Sequence, residues 1–286
     1  MSHSHRTWNK LLLIPAVLLV LLLIYAPVYW LVISSVSTRA ELLSVPPHWI
    51  PQHITFANYL NILLPGTSQS EVARTFSATL RNSLVVALST TLVCLALGSL
   101  GAYALARLRL PFRDKVLFGV ISVRMIPEIS LVIPLYIAAA RLSLLNKSAS
   151  LILAYLSFAL PFAIWMLTTF FETVPLELED AARIDGASPV QSLVRVVLPV
   201  SLPGIVSTAL FVFLLAWDEF FFALLFTSTI EAKTVPVAIA EFAGRYTVDI
   251  TAMMAGGVLA AVPPVLLALI FQRYIVSGLS AGAIKG

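Results

Sequence analysis

Residues 175–199 read PLELEDAARIDGASPVQSLVRVVLP, a polar interruption in a chain otherwise made of long apolar runs. Glu177, Glu179, Asp180 and Asp185 lie inside it and Glu172 just before it, five of only fourteen acids in the whole sequence. Local signals make this stretch two short helices joined by a corner. Pro175 suits a helix start, where its missing N–H would be unpaired anyway. Gly186 can take the left-handed conformation that ends a helix. Ser188, Pro189 and Gln191 then supply an N-cap, a first-turn proline and a capping-box glutamine. A capped helix–turn–helix between two apolar spans reads as a docking element, not as a lipid-facing one.

The remainder of the chain reads as membrane. It has 286 residues, 59% of them hydrophobic and only 11% charged, against about 25% charged in an average soluble domain. Six apolar runs (11–33, 84–106, 116–140, 151–171, 202–227 and 251–271) each reach the roughly 20 helical residues that a bilayer core requires. Barrel strands would be about half as long and would alternate. The expected fold is therefore an all-α polytopic membrane protein: one transmembrane domain over 1–286, six spans, and a helix–turn–helix element on the cytoplasmic side. Arg6 and Lys10 precede the first run as they would in a signal peptide. That run continues for 23 residues with no clean small-residue cleavage site, so a retained anchor is expected.

Orientation follows from Lys and Arg in short loops. With a cytoplasmic N-terminus, the inner segments hold ten: Arg6, Lys10, Arg107, Arg109, Arg113, Lys115, Arg183, Arg195, Arg273 and Lys285. The outer segments hold seven, spread over more residues. The tight RLRLPFRDK cluster (107–115) decides the assignment and places both termini and 175–199 in the cytoplasm. This anchoring accounts for the net charge of +4. No basic patch interleaves with aromatics, so nucleic acid is not an expected partner; membrane lipid is.

Catalytic signatures are missing. Cys94 lies inside an apolar run and reads as a small packing residue. His3, His5, His48 and His53 have no metal-ligand spacing, and no metal or cofactor is expected. There is no phosphate-cradling G-x-x-x-x-G-K-[ST], no G-x-S-x-G and no H-E-x-x-H. An integral membrane protein with a capped docking element and no active site suggests a translocation subunit driven by something else, not an enzyme.

At this point the residues resemble a known family. Asp180-Ala181-Ala182, three residues, Gly186, nine residues, then Val196-Val197-Leu198-Pro199 is similar to the EAA signature of permease subunits in bacterial ABC importers: E-A-A, three residues, G, nine residues, I-x-L-P. The spacing is complete; Asp180 stands for Glu and Val196 for Ile. MIPEISLVIPLY (125–136), AWDEFFFALLFT (216–227), the tail QRYIVSGLSAGAIKG (272–286) and PPHWIP (46–51) resemble the carbohydrate-uptake branch, most closely its maltose-permease G type. The resemblance implies an inner-membrane permease subunit of a sugar importer. Its partners would be a second homologous permease, two cytoplasmic ATP-binding subunits and an extracytoplasmic sugar-binding protein. It also implies that 175–199 is the coupling helix seated in an ATPase cleft, with Glu179, Asp180, Ala181, Ala182, Arg183, Asp185, Gly186 and Pro199 at the contact. The tail residues Ser280, Ala281, Gly282 and Lys285 would reach between the ATPase subunits as an extended strand. An exposed Glu179, Asp180 and Arg183 suit charge-assisted hydrogen bonds to a soluble partner, and an acidic helix would be repelled by anionic lipid.

Charges inside apolar runs are the remaining signal, because at bilayer depth they face a polar cavity or one another. Arg124 and Glu128 are four apart, so on one helix they share a face and can pair; alternatively Glu128 lines a path. Asp218 and Glu219, beside Trp217, form a second set. Carboxylates accept from sugar hydroxyls, and an indole offers an apolar plate. The family typically carries Asn where this chain has Asp218. Two other functions stay open: a permease of the same kind for a polyol phosphate or polyamine, or an ion-coupled secondary transporter using Glu128 or Asp218.

Overall fold

The computed structural model describes residues 3–46, 48–64, 71–108, 110–229, 232–243 and 249–283, with backbone alone for 3–12, 71–74 and 275–283. It is all-helical. Four helices are long and apolar enough to cross a membrane: Leu13–Val36, Thr75–Arg107, Ser148–Glu172 and Ile250–Tyr274. Two bent pairs, Arg113–Met125 with Glu128–Arg141 at 90° and Pro189–Val200 with Leu202–Trp217 at 84°, raise the number to six if each pair is one span. The chain forms two compact units, 1–77 with 239–261 and 78–238 with 262–286.

In the first unit the helix His3–Val36 leaves its apolar side chains exposed from Leu13 to Tyr29. Its C-terminal end is the part that is held. Asn58 Nδ2 donates to the carbonyls of Ser35 (2.9 Å) and Ser37 (3.0 Å), and the Tyr59 hydroxyl meets Ser35 Oγ at 2.6 Å. Trp30 and Trp49 pack edge to face. These contacts satisfy carbonyls that the helix end leaves without partners.

The second unit is built on Ser148–Glu172, against which Leu202–Trp217 and Glu71–Arg107 pack. Small residues permit the approach, as membrane helices require. A Cβ on Gly98 would stand 3.3 Å from Ala163 Cβ, and one on Gly204 would clash with the Phe170 ring at Cγ.

Two apolar runs expected to be continuous are interrupted. In the run 116–140, Ile126 is extended (φ −71°, ψ 121°), because a residue before proline is driven out of the helical region; Pro127 then caps the next helix, Glu128–Arg141. In the run 202–227, the helix stops at Trp217 and a separate helix starts at Phe221. The last helix, Ile250–Ala283, keeps helical backbone through Ser280, Ala281 and Gly282. The extended tail expected there is corrected over 280–283: no proline stops the ladder of Ile250–Ala283 in this stretch, and it stays helical. Lys285 lies outside the described residues.

Candidate functional site

The corner at 175–199 is built from its own sequence signals. The helix Leu176–Ile184 ends at Gly186, whose φ is +85°. Gly186 N donates to Arg183 O (3.0 Å) and Ala187 N to Ala182 O (2.9 Å), the paired closure that a left-handed glycine permits. Ser188 opens the second helix with a reciprocal capping box: Gln191 N donates to Ser188 Oγ at 3.3 Å, and Ser188 N to Gln191 Oε1 at 2.8 Å. A π-helical turn, Leu193–Val197, follows, burying Leu193 and Val197. Between the two arms lies a polar concavity of about 360 Å³ lined by Ala182, Asp185, Gly186, Ala187, Gln191 and Arg195 among others.

Glu179 overturns its expected role. It is 0% exposed. Its carboxylate forms an ion pair with Arg107, whose side chain is 4% exposed, and accepts from the Tyr103 hydroxyl at 2.9 Å. Arg107 Nη2 also donates to Val174 O at 2.6 Å. Beside this cluster Arg113 pairs with Glu172 and donates through Nε to Leu105 O at 2.6 Å. Glu179 therefore faces inward because two groups of the helix Glu71–Arg107 wait for it, and a buried carboxylate needs such partners. Asp180, Ala181, Arg183 and Asp185 remain on the surface, with Arg183 Nη1 3.3 Å from Asp180 Oδ1. Pro199 is exposed within the short helix Leu198–Val200. Arg107 and Arg113, read as topology charges, are thus also structural partners of the corner. The co-occurrence of an acidic element with a short basic loop was the available signal.

The two chain breaks meet at a second site. Glu128, Asp218 and Glu219 line a cavity of about 390 Å³ with Phe158, Phe211, Phe220 and Phe221. Glu128 and Asp218 are exposed. Glu219 is only 8% exposed, and its two oxygens accept from Phe222 N (2.7 Å) and Ala223 N (3.1 Å). It caps the helix Phe221–Phe226, satisfying donors that the helix start leaves free.

Residues 94–281, which contain both sites, match the family described as binding-protein-dependent transport system inner membrane component. The chain belongs to this family. It is 38% identical over 277 residues to the trehalose/maltose transport system permease protein MalG of Thermococcus litoralis, covering 96% of each chain. It is 39% identical over 262 residues to the trehalose transport system permease protein SugB of Mycobacterium tuberculosis, covering 91% of this chain and 92% of that one. The sulfoquinovosyl glycerol transport system permease protein SmoH of Agrobacterium fabrum is 38% identical over 260 residues, 91% of this chain and 88% of the other. A solved bacterial ABC transporter involved in alginate import shares the fold, with a TM-score of 0.79 at 21% identity over 96% of this chain and 98% of that one. As a permease component, the chain is the non-catalytic part of such a transporter.

In this permease two expectations about intramembrane residues are corrected. Arg124 and Glu128 do not share a helix face. Arg124 sits in the 3-10 turn Val123–Met125 and Glu128 begins the next helix beyond the bend, so four-residue periodicity does not carry across. The Arg124 guanidinium instead lies over the Phe162 ring, 5.2 Å from its centroid, a favourable cation–π placement. Trp217 is 3% exposed and stacks on Phe213 at 5.5 Å. It is absent from the cavity lining, where phenylalanines provide the aromatic wall.

Proposed function

We propose that this permease forms one of two homologous halves of an ATP-driven sugar importer, as a single transmembrane domain over 1–286 with the corner at 175–199 docked on cytoplasmic ATPase subunits. The relatives named for maltose, trehalose and sulfoquinovosyl glycerol support a sugar or sugar derivative as cargo. The observation that carries the docking reading is the corner's outer face. Ile184 is 86% exposed at its tip, flanked by Asp180 and Asp185, while the base is locked inside by Glu179. An apolar knob ringed by carboxylates suits a cleft on a soluble partner. Both termini lie on the same side as the corner, and the end of the last helix, with Lys285, reaches the ATPase subunits. A binding protein delivers sugar on the other side, as a structural relative was solved with a pentasaccharide-bound periplasmic protein.

Glu128 and Asp218 are the acceptors along the path. Carboxylates offer only acceptors to sugar hydroxyls. Their charge disfavours a phosphorylated cargo and leaves a polyamine as the second reading. Purification of the tagged permease from its native membrane is expected to bring a second permease and ATP-binding subunits. In proteoliposomes with the binding protein, that complex is expected to accumulate maltose or trehalose only when ATP is inside. Uptake driven by an ion gradient without ATPase subunits would sink this reading, and uptake of polyamine but no sugar would replace the cargo.

A further inference from the structure

The helix Glu71–Arg107 is tied at two widely separated places in the second unit. Near Arg107 it holds the corner through the Glu179 ion pair, the Tyr103 hydroxyl and the Arg107 bond to Val174 O. At the far end Asn82 Nδ2 donates to Lys233 O at 3.2 Å, and Ser83 Oγ accepts from Val235 N at 2.8 Å in a buried contact. From Ser83 to Arg107 an α-helix rises about 36 Å, comparable to a bilayer core.

The helix Ser148–Glu172 spans the same interval. It runs through the short link 173–175 into the corner. At its other end Asn146 N donates to Phe226 O (3.0 Å), and Asn146 Oδ1 accepts from Ser228 N (2.6 Å) and Thr229 N (3.1 Å). One helix is joined to the corner by covalent backbone. The other depends entirely on side chains, and the central one is a buried charge.

We propose that Glu179 is a positioning residue that makes the helix Glu71–Arg107 move with the corner, so that a displacement of the corner arrives at residues 233–235. This rests on the docking reading given above. A buried ion pair suits the task better than apolar packing would. Apolar contacts tolerate sliding, whereas separating a desolvated guanidinium from its carboxylate leaves two uncompensated charges. The joint therefore resists being opened, and the two helices are carried as a pair.

The test uses the whole reconstituted importer with the Arg107→Met/Glu179→Met double variant, in which no buried charge is left alone. Three quantities are read: retention of ATPase subunits, sugar imported per ATP hydrolysed, and the ATP-dependent change in hydrogen exchange at the Val235 amide. The double variant is expected to keep its ATPase subunits, to lose about tenfold in sugar per ATP, and to lose the ATP-dependent change at Val235 that the wild type shows. Tyr103→Phe, which keeps both charges, is expected to retain most of the coupling and serves if the double variant assembles poorly; coupling as weak as in an uncoupled complex would then overturn the assignment of the joint to the charge pair. Wild-type sugar per ATP together with a wild-type response at Val235 in the double variant would overturn the joint. Ile184→Asp separates this from the docking reading. If it leaves ATPase retention unchanged, docking at the corner fails; if it releases the ATPase while the double variant couples normally, only the joint fails.

Discussion

The Phe170 ring occupies the place where a side chain on Gly204 would begin, 2.2 Å from the ideal Cβ position. The atom met is ring Cγ, near the root of the side chain, so the ring cannot simply swing aside. The helices Ser148–Glu172 and Leu202–Trp217 owe their separation here to this missing methyl group. Gly204→Ala is expected to force them apart and cost about 1–3 kcal/mol. Thermal unfolding of the purified complex should show a lowered midpoint; an unchanged midpoint would contradict the close contact.

Gly186 makes the opposite prediction about space. Nothing lies within 4 Å of a Cβ placed there, yet its φ is +85°. Gly186→Val is therefore expected to be strained by about 1–2 kcal/mol through backbone alone, redirecting the corner without disturbing the helices beneath it. Gly186→Asn, which tolerates the left-handed region better, should be milder. Membrane yield should stay near wild type for both while sugar uptake falls steeply for valine. Normal uptake by the valine variant would remove the corner from the coupling route.

Glu219 holds two backbone donors with one carboxylate. Glu219→Ala leaves them unpaired in a buried place and is expected to cost about 1–2 kcal/mol, visible as a lower unfolding temperature. Glu219→Gln keeps one acceptor and should lose less. Equal stability of all three forms would show that the cap contributes nothing.

Glu128 stands on the other side of the chain break from Arg124. Glu128→Gln is expected to leave the amount of assembled complex unchanged and to alter sugar uptake about tenfold, since a neutral acceptor replaces a charged one. Arg124→Gln should not rescue it. A fall in assembly that the double substitution restores would reinstate a pair between them.

Much of the corner was legible because its determinants are local: Gly186, Ser188, Pro189 and Gln191 each act within three or four residues. The fate of Glu179 was not, because its partners Arg107 and Tyr103 are distant in sequence and only packing brings them together. The bend at Ile126–Pro127 was written in the chain, since Pro127 restricts its predecessor, but hydropathy over 116–140 masks it. Once the helix is broken there, the spacing of Arg124 and Glu128 loses its meaning. Trp217 read as a sugar-facing plate, and only packing shows it buried and stacked on Phe213 instead.

The π turn Leu193–Val197 gives the family signature the character of a ruler. A π turn takes up one residue more than an α turn over the same rise. The nine positions counted between Gly186 and Val196 therefore place Pro199 in phase only if the wide turn starting at Leu193 is kept. Tightening that turn to α geometry with its residues all kept would rotate everything after it by about 100°. The buried pair Leu193 and Val197 would no longer lie on one side with the segment that follows. Substitutions at exposed Val194 and Arg195 that keep the wide turn are tolerable in a way that its tightening is not: the element is specified as much by its turn geometry as by its composition.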